Sequence, residues 1–483
     1  MPSRVLGQLG YIDASSARLW VASSEPATVR CQIAIGALSL TPALTLQEPT
    51  CAGVVHLENL VPGNALSYQW QNVDGGGWKD ASGPGTSGTI RLPGTNDPDK
   101  FAIAHTSCNN VLPDYPPVTR DPQERWQALK ELIDREEIDL LVHAGDQVYM
   151  DPLLADYMTD TAGYETDARR LRKAIAEWPE QVRNRYIRHF SSSTPGGIQD
   201  VLAARPSVMI WDDHELYDGW GSQLHPSLTG WKAWEEIVTR AFRDFQASHN
   251  PDPIPGAGFG FGFRRGSIGF LALDLRTFRG QDSANPLLGP TQLEAVRSWW
   301  SGQKRPCKLL LVLSSTPIGH LWGQAWQDLY RYLALPQWQL DLKDLWSSPV
   351  NGNITDLGRF LDFLTYEVIE GGKRKVLILS GDVHMSHGAT IRHSGTGSLI
   401  HEFICSAISN EIPSLAIPTI LGALERQHAT PPRMGEYELL LDPPFITQRN
   451  FGQVMIDTRT AQARVSCLVH ASQEPSPVLV KGF

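Results

Sequence analysis

The sequence predicts an α/β protein of two unequal parts, a small all-β sandwich over residues 1–97 and a layered α/β domain over residues 98–483. Three observations carry that expectation. Up to about residue 82, short alternating runs are divided by turn residues and show no helical period. From Phe101 onward, continuous apolar runs are separated by amphipathic segments, the rhythm of a sheet covered on both faces. Four acid-, histidine- or cysteine-bearing segments each follow directly on a buried run. In an open α/β sheet such segments meet in the crevice beyond the carboxyl ends of the strands, whatever their distance in sequence.

In the first part, strands are expected at Ala17-Arg18-Leu19-Trp20-Val21, Val29-Arg30-Cys31-Gln32-Ile33, Val54-Val55-His56-Leu57 and Leu66-Ser67-Tyr68-Gln69-Trp70. The stretch Leu57-Glu58-Asn59-Leu60-Val61-Pro62-Gly63-Asn64-Ala65-Leu66-Ser67-Tyr68 resembles the turn and tyrosine strand of fibronectin type III domains. Gly83-Pro84-Gly85-Thr86-Ser87-Gly88 and Pro93-Gly94-Thr95-Asn96-Asp97-Pro98 read as the connection.

In the second part, the strand Phe101-Ala102-Ile103-Ala104 precedes a helix expected to open at Asp121-Pro122-Gln123-Glu124. There Asp121 caps, Pro122 suits the first turn and Glu124 completes a capping box, and Trp126, Leu129, Leu132 and Ile133 share one face. Further strands are expected at 139–142, 208–211, 270–273, 309–313 and 376–379, with more of the same domain in the tail at 403–405, 454–457 and 463–469. Helical insertions fall at 166–190 and 229–245, with a tryptophan-rich stretch at 321–346 holding Trp322, Trp326, Trp338 and Trp346. Such aromatics supply a pocket wall or lid, although at this spacing core is the commoner use.

The 483 residues are 41% hydrophobic and 19% charged, which allows a sizeable core. The net charge of -10 without a block of Lys or Arg excludes the footprint of a duplex-binding protein. No run approaches the roughly 18 apolar residues of a membrane helix. The first ten residues lack a secretory apolar run or a twin-arginine pair, so the expectation is a soluble, cytoplasmic protein. Six cysteines (31, 51, 108, 307, 405 and 467) are scattered without a C-x-x-C pair, which suits buried thiols better than a disulfide scaffold or zinc ribbon. Cys31 and Cys51 could pair in an oxidising compartment.

The chemistry lies in Ser107-Cys108, Gly145-Asp146-Gln147-Val148-Tyr149, Trp211-Asp212-Asp213-His214-Glu215 and Ser380-Gly381-Asp382-Val383-His384. Asp146 can bridge two cations, and Tyr149 three residues later is the kind of donor that holds ferric iron. Four polar residues after Trp211 cost several kcal/mol per unpaired buried ion, roughly, so a metal or substrate must compensate. Asp213 is the natural ligand there, and His214 the natural proton donor or phosphate contact. Asp382 and His384, two apart on an extended segment, project the same way. The bland alternative for Cys108, a small buried apolar residue, yields to its place at the end of the first strand. Thiolate, phenolate and imidazole favour iron, whereas a carboxylate-rich neighbouring site favours calcium, magnesium or manganese. A heteronuclear centre is therefore expected.

These segments, with Met150-Asp151, Asp218-Gly219-Trp220-Gly221 and Asp274-Leu275-Arg276, resemble those of the PhoD-like alkaline phosphatases, a branch of the calcineurin-like metallophosphoesterases. The resemblance covers about residues 100–470. It implies a two-layer β sandwich flanked by helices, an iron ion (Fe3+) held by Cys108, Asp146, Tyr149 and His384, and a second, calcium-like site using Asp146, Asp213 and Asp382. His214 is then the acid near the leaving group. Arg276 is the candidate to grip a non-bridging phosphate oxygen, with Arg279 and His320 behind it. Three departures stand out: His105-Thr106-Ser107-Cys108 replaces the superfamily's opening Asp-x-His, Ser315-Thr316-Pro317 stands where a metal-binding histidine is frequent, and Asn109-Asn110 follow Cys108 where the family tends to glutamine.

The function these readings point to is a metal-dependent phosphoesterase, a phosphatase or phosphodiesterase, in which a metal-bound hydroxide attacks phosphorus in line. The competing classes are a scaffold whose metal is structural and a hydrolase of non-phosphate esters on the same centre.

Overall fold

The computed structural model describes residues 5–483 except 37, 75, 117–120, 165, 193, 223–228, 280–285, 304–306, 333–338, 340, 341, 350, 351, 371, 473 and 475. Two large sheets dominate. In the first, six strands lie in the order Ser207–Ile210, Leu140–Ala144, Lys100–Thr106, Asn450–Asp457, Arg464–Ala471, Val478–Gly482. In the second, the order is Phe261–Arg265, Ile268–Ala272, Leu309–Ser314, Lys375–Ser380, Leu399–Ile404, Ser386–His393, Tyr437–Ile446, Arg433–Met434. The strands nearest the site pair in parallel within each sheet, so their carboxyl ends gather at one end of the molecule.

The continuous apolar runs have a direct structural cause. Along each central strand, alternate side chains enter different cores. Leu140, Val142, Leu309, Leu311 and Leu313 fill the space between the two sheets. Leu141 faces an outer layer with Trp126, Leu129 and Ile133 of the helix Glu124–Arg135 and Trp234 of the helix Thr229–Phe245. Leu310 and Val312 face the opposite outer layer, with Trp300, Trp326 and Phe360. Each such leucine or valine stabilises the fold by roughly 1.5–3 kcal/mol.

The first ninety residues form two antiparallel sheets around a core that includes Leu19, Val21, Val29, Cys31 and Trp70. One of these sheets also packs on the larger body. Between Leu19 and Val21, Trp20 points the other way, enters the helical layer and donates from Nε1 to the Asp244 carbonyl at 2.8 Å. All six cysteines are buried free thiols, so the Cys31–Cys51 pairing does not occur. No helix among the described residues is long and apolar enough to cross a membrane.

Three local expectations need correction. The helix at 124 has no capping box: the Asp121 side chain accepts from the Gln123 amide, at 3.2 Å, and not from within the helix, while the Glu124 carboxylate is drawn to Arg125 and to Arg449 at 2.7 Å. The described tryptophans of 321–346 form no lid. Trp322, Trp326 and Trp346 are buried and donate to the Ile318 carbonyl, the Leu342 carbonyl and the Ser314 hydroxyl, and Trp338 lies outside the described residues. The tail also holds more than the expected strands. Ser386–His393 and Tyr437–Ile446 pair with one another, and a helix covers Ile417–Ala429.

Candidate metal centre

Seven strands end at the crevice, and the loops that follow them are fastened to one another by backbone. The amides of Cys108 and Asn109 donate to the carbonyls of Gly145 and Asp146 at 3.2 and 2.7 Å, and that of Gly381 donates to the Ser315 carbonyl at 3.0 Å. Two glycines permit the approach. A Cβ on Gly145, whose φ is 90°, would stand 2.6 Å from the Asp212 Cβ, and one on Gly381 would stand 2.5 Å from the Ser107 hydroxyl. Cys108, Asp146, Asp382 and His384 all adopt positive φ, between 53° and 68°. Non-glycine residues persist there only when the surroundings over-determine them, a condition concentrated at functional sites.

The predicted residues come together. The Cys108 sulfur lies 3.4 Å from Asp146 Oδ2 and 3.5 Å from the Asp382 carbonyl, and accepts from the Ser406 hydroxyl at 3.0 Å. The Asn410 amide nitrogen joins the Tyr149 hydroxyl at 2.9 Å to His384 Nε2 at 3.3 Å. Asp146, Asp213 and His214 offer ligand atoms within 4.8 Å of one another, and so do Asp146, Asp212 and Asp382. Asp146 is thus common to two adjacent groups. The expected second set of Asp146, Asp213 and Asp382 is divided between them.

Arg276 is placed differently from the expectation that it grips phosphate. It is 0% exposed, and its guanidinium is held by Asp212, by Asp344 at 2.8 Å and by the Trp220 carbonyl at 2.9 Å. Its Nε and Nη1 are hydrogen-bonded, its Nη2 faces Asp212 and lies 3.8 Å from Asp213, and the cavity lining does not include it, so it positions those carboxylates. Arg279, bound to Asp344 at 2.7 Å, is equally enclosed. His320 does line the cavity, with Nδ1 2.9 Å from His387 Nε2.

Several contributors have roles that residue type and spacing do not reveal. Glu215 accepts from the amides of Asp146, Gln147 and Asp212 at 3.0, 2.7 and 2.9 Å, and so clips two ligand loops together. Glu402 does the same on the other sheet, accepting from Ile318 and Gly319 amides and from the Ser380 hydroxyl at 2.7 Å. Both carboxyls are pushed up to about 7, chiefly by burial. Asp151 holds His214 Nδ1 at 2.8 Å, while the ring stacks on Tyr149 with centroids 4.2 Å apart.

The donor set fits cations. Burial, with Asp213, Asp212 and Glu215 adding to it against His214, drives the Asp146 carboxyl well above its ordinary range. Asp212 rises to about 6 for the same first reason, although Arg276 opposes the shift. Its Oδ2 is buried with no hydrogen-bond partner among the described residues. An unpartnered carboxylate oxygen among other acids is costly alone and well placed for a divalent ion. At His214, burial favours the neutral ring but is outweighed by Asp151, Tyr115, Asp213 and Asp146, so the imidazolium persists well above the usual range.

With this geometry in view, comparison with known proteins is specific. The model of the PhoD-like phosphatase family matches residues 101–467. Alkaline phosphatase D of Bacillus subtilis (strain 168) is 23% identical over 366 residues, covering 72% of this chain and 56% of that protein, so the chain spans little more than half the length of this curated relative. The solved structure of PhoD aligns with a TM-score of 0.63 at 17% identity, over 98% of this chain and 88% of the other, a likeness of fold.

Proposed function

The chain belongs to the PhoD-like phosphatase family, and from that premise we propose that it hydrolyses phosphate esters, monoesters and diesters alike, at the crevice lined by Asp213, His214, Asp382 and His384. The observation that carries this reading is the convergence of Asp146, Asp212, Asp213 and Asp382 around shared ligand positions beside the buried ring of His214. We assign iron to Cys108, Asp146, Tyr149 and His384, and a second cation, calcium before magnesium or manganese, to Asp146, Asp213 and Asp382, to which we add Asp212. Cations bound there supply charge neutralisation on the phosphoryl oxygens and make water acidic near neutral pH.

The protein's own residues do the rest. Asp151 orients His214 through Nδ1, leaving the other ring nitrogen to protonate the departing ester oxygen. Tyr149 limits the ring to one plane by stacking, and Arg276 holds Asp212 and Asp213 in register from below. We further read residues 1–97 as a separate β-sandwich domain, which the start of the family match at residue 101 supports.

Two results are expected. Incubation with a chelator removes phosphate release from a nitrophenyl monoester and from the matching diester, and divalent metal restores it; full activity in chelator-treated, metal-free protein would refute the metal-dependent reading. His214→Gln lowers kcat by on the order of 10²–10⁴-fold while elemental analysis finds the metals retained. Wild-type turnover in that variant removes His214 from the role of acid.

A further inference from the structure

The crevice does not end at the acids. It opens into a cavity of about 600 Å3 whose lining includes the aliphatic side chains of Leu321, Leu329, Leu342, Leu345, Ile412 and Ile420. All six belong to, or pack against, one apolar cluster, so the aliphatic surface is contiguous. Beside the cavity, Leu415, between the lining residues Pro413 and Ala416, is 88% exposed. Along the aliphatic side the polar groups are engaged, Glu411 by Arg449 and His320 by His387, while Tyr115 and Asp218 stand at the acid end with His214 and Asp151. Asp344 is bound by Arg276 and Arg279, and Asn410 by Tyr149 and His384.

Cavities of this size bury most of a small ligand's surface, and their few polar groups fix its orientation. A sugar, polyol or nucleobase laid against six aliphatic side chains leaves its hydroxyls or ring edges unpaired, which a hydrocarbon chain does not. We propose that the substrate of this site is a phosphate ester whose organic substituent is an aliphatic chain, lodged along Leu321, Leu329, Leu342, Leu345, Ile412 and Ile420 while its phosphoryl group lies at Asp213 and His214. The inference rests on the phosphoesterase reading above and names its substrate class.

The test pairs turnover with binding on the metal-loaded full chain. Phosphate release is measured for ethyl, butyl, hexyl and octyl phosphate, and dissociation constants of the matching n-alkylphosphonates by calorimetry. Both kcat/KM and affinity rise roughly two- to fourfold per added methylene until the wall is covered, and Ile420→Gln, at a half-buried position, flattens both series. Turnover without any dependence on chain length overturns the inference and leaves the phosphoesterase reading intact. Chain-dependent phosphonate binding without turnover of any ester keeps the aliphatic wall and overturns that reading. Absence of both effects overturns both. A parallel arm compares dissolved dioctanoyl phosphatidic acid with long-chain phosphatidic acid in phosphatidylcholine vesicles. A gain over ethyl phosphate in either form supports the proposal and tells a free amphiphile from a bilayer as the source, and no gain in either counts against it.

Discussion

Asp146→Asn is expected to strip the protein of both cations and to lower phosphate release by on the order of 10³-fold or more, the scale seen when one member of a set acting as a unit is lost. The reason is topological. Asp146 is the residue shared by the two groups of convergent ligand atoms, and the Cys108 sulfur lies 3.4 Å from its Oδ2. An amide keeps one oxygen and the shape of the loop but loses the charge that two cations would divide. The Glu215 clip acts on the backbone of residue 146, not on its side chain, so the variant should fold. Elemental analysis beside circular dichroism checks this: a folded Asp146→Asn protein retaining both ions and wild-type turnover removes the bridging assignment.

Arg276→Met is expected to lower stability by about 3–5 kcal/mol, the cost of leaving buried charges without their partner. In the native protein the guanidinium lies between Asp212 and Asp344, all three shielded from solvent. Methionine fills much of the volume and neutralises nothing. Asp212, whose carboxyl burial already pushes up, then takes a proton or turns away, and the neighbouring Asp213 loses its support. Urea denaturation read by tryptophan fluorescence measures the loss, and the same preparation should bind less metal. A variant as stable as the wild type, with a raised KM alone, would return Arg276 to the role of a direct phosphate contact.

Much of the architecture was legible because each strand end carries a residue type that burial alone does not explain. The apolar runs before Asp146, Asp212 and Asp382 showed where the sheets lie, and the acids showed which end of the sheets matters. What stayed hidden was hidden for physical reasons. Asp212 and Asp213 are adjacent and chemically equal, and only the fold decides which one pairs with Arg276 and which accepts from the Gly219 amide. Arg276 after a strand looks like a free phosphate grip until Asp344, 68 residues onward, is found to occupy it. Glu215, Glu402 and Asn410 act on backbone and on other side chains, and such contacts have no sequence period. The strand Tyr437–Ile446 was concealed by Pro443 and Pro444, which ordinarily argue against a strand interior.

The register that sets Lys100 opposite Asp457 has a consequence for biogenesis. On that later strand Asn450 accepts from the Ser386 hydroxyl and donates to the Ser406 carbonyl, both at close range, and Ser406 in turn donates to the Cys108 sulfur. The thiol therefore waits for a brace translated some three hundred residues after it. A nascent chain emerging from the ribosome carries Cys108 without this hydrogen-bonded support until the segments holding Ser386, Ser406 and Asn450 have been made.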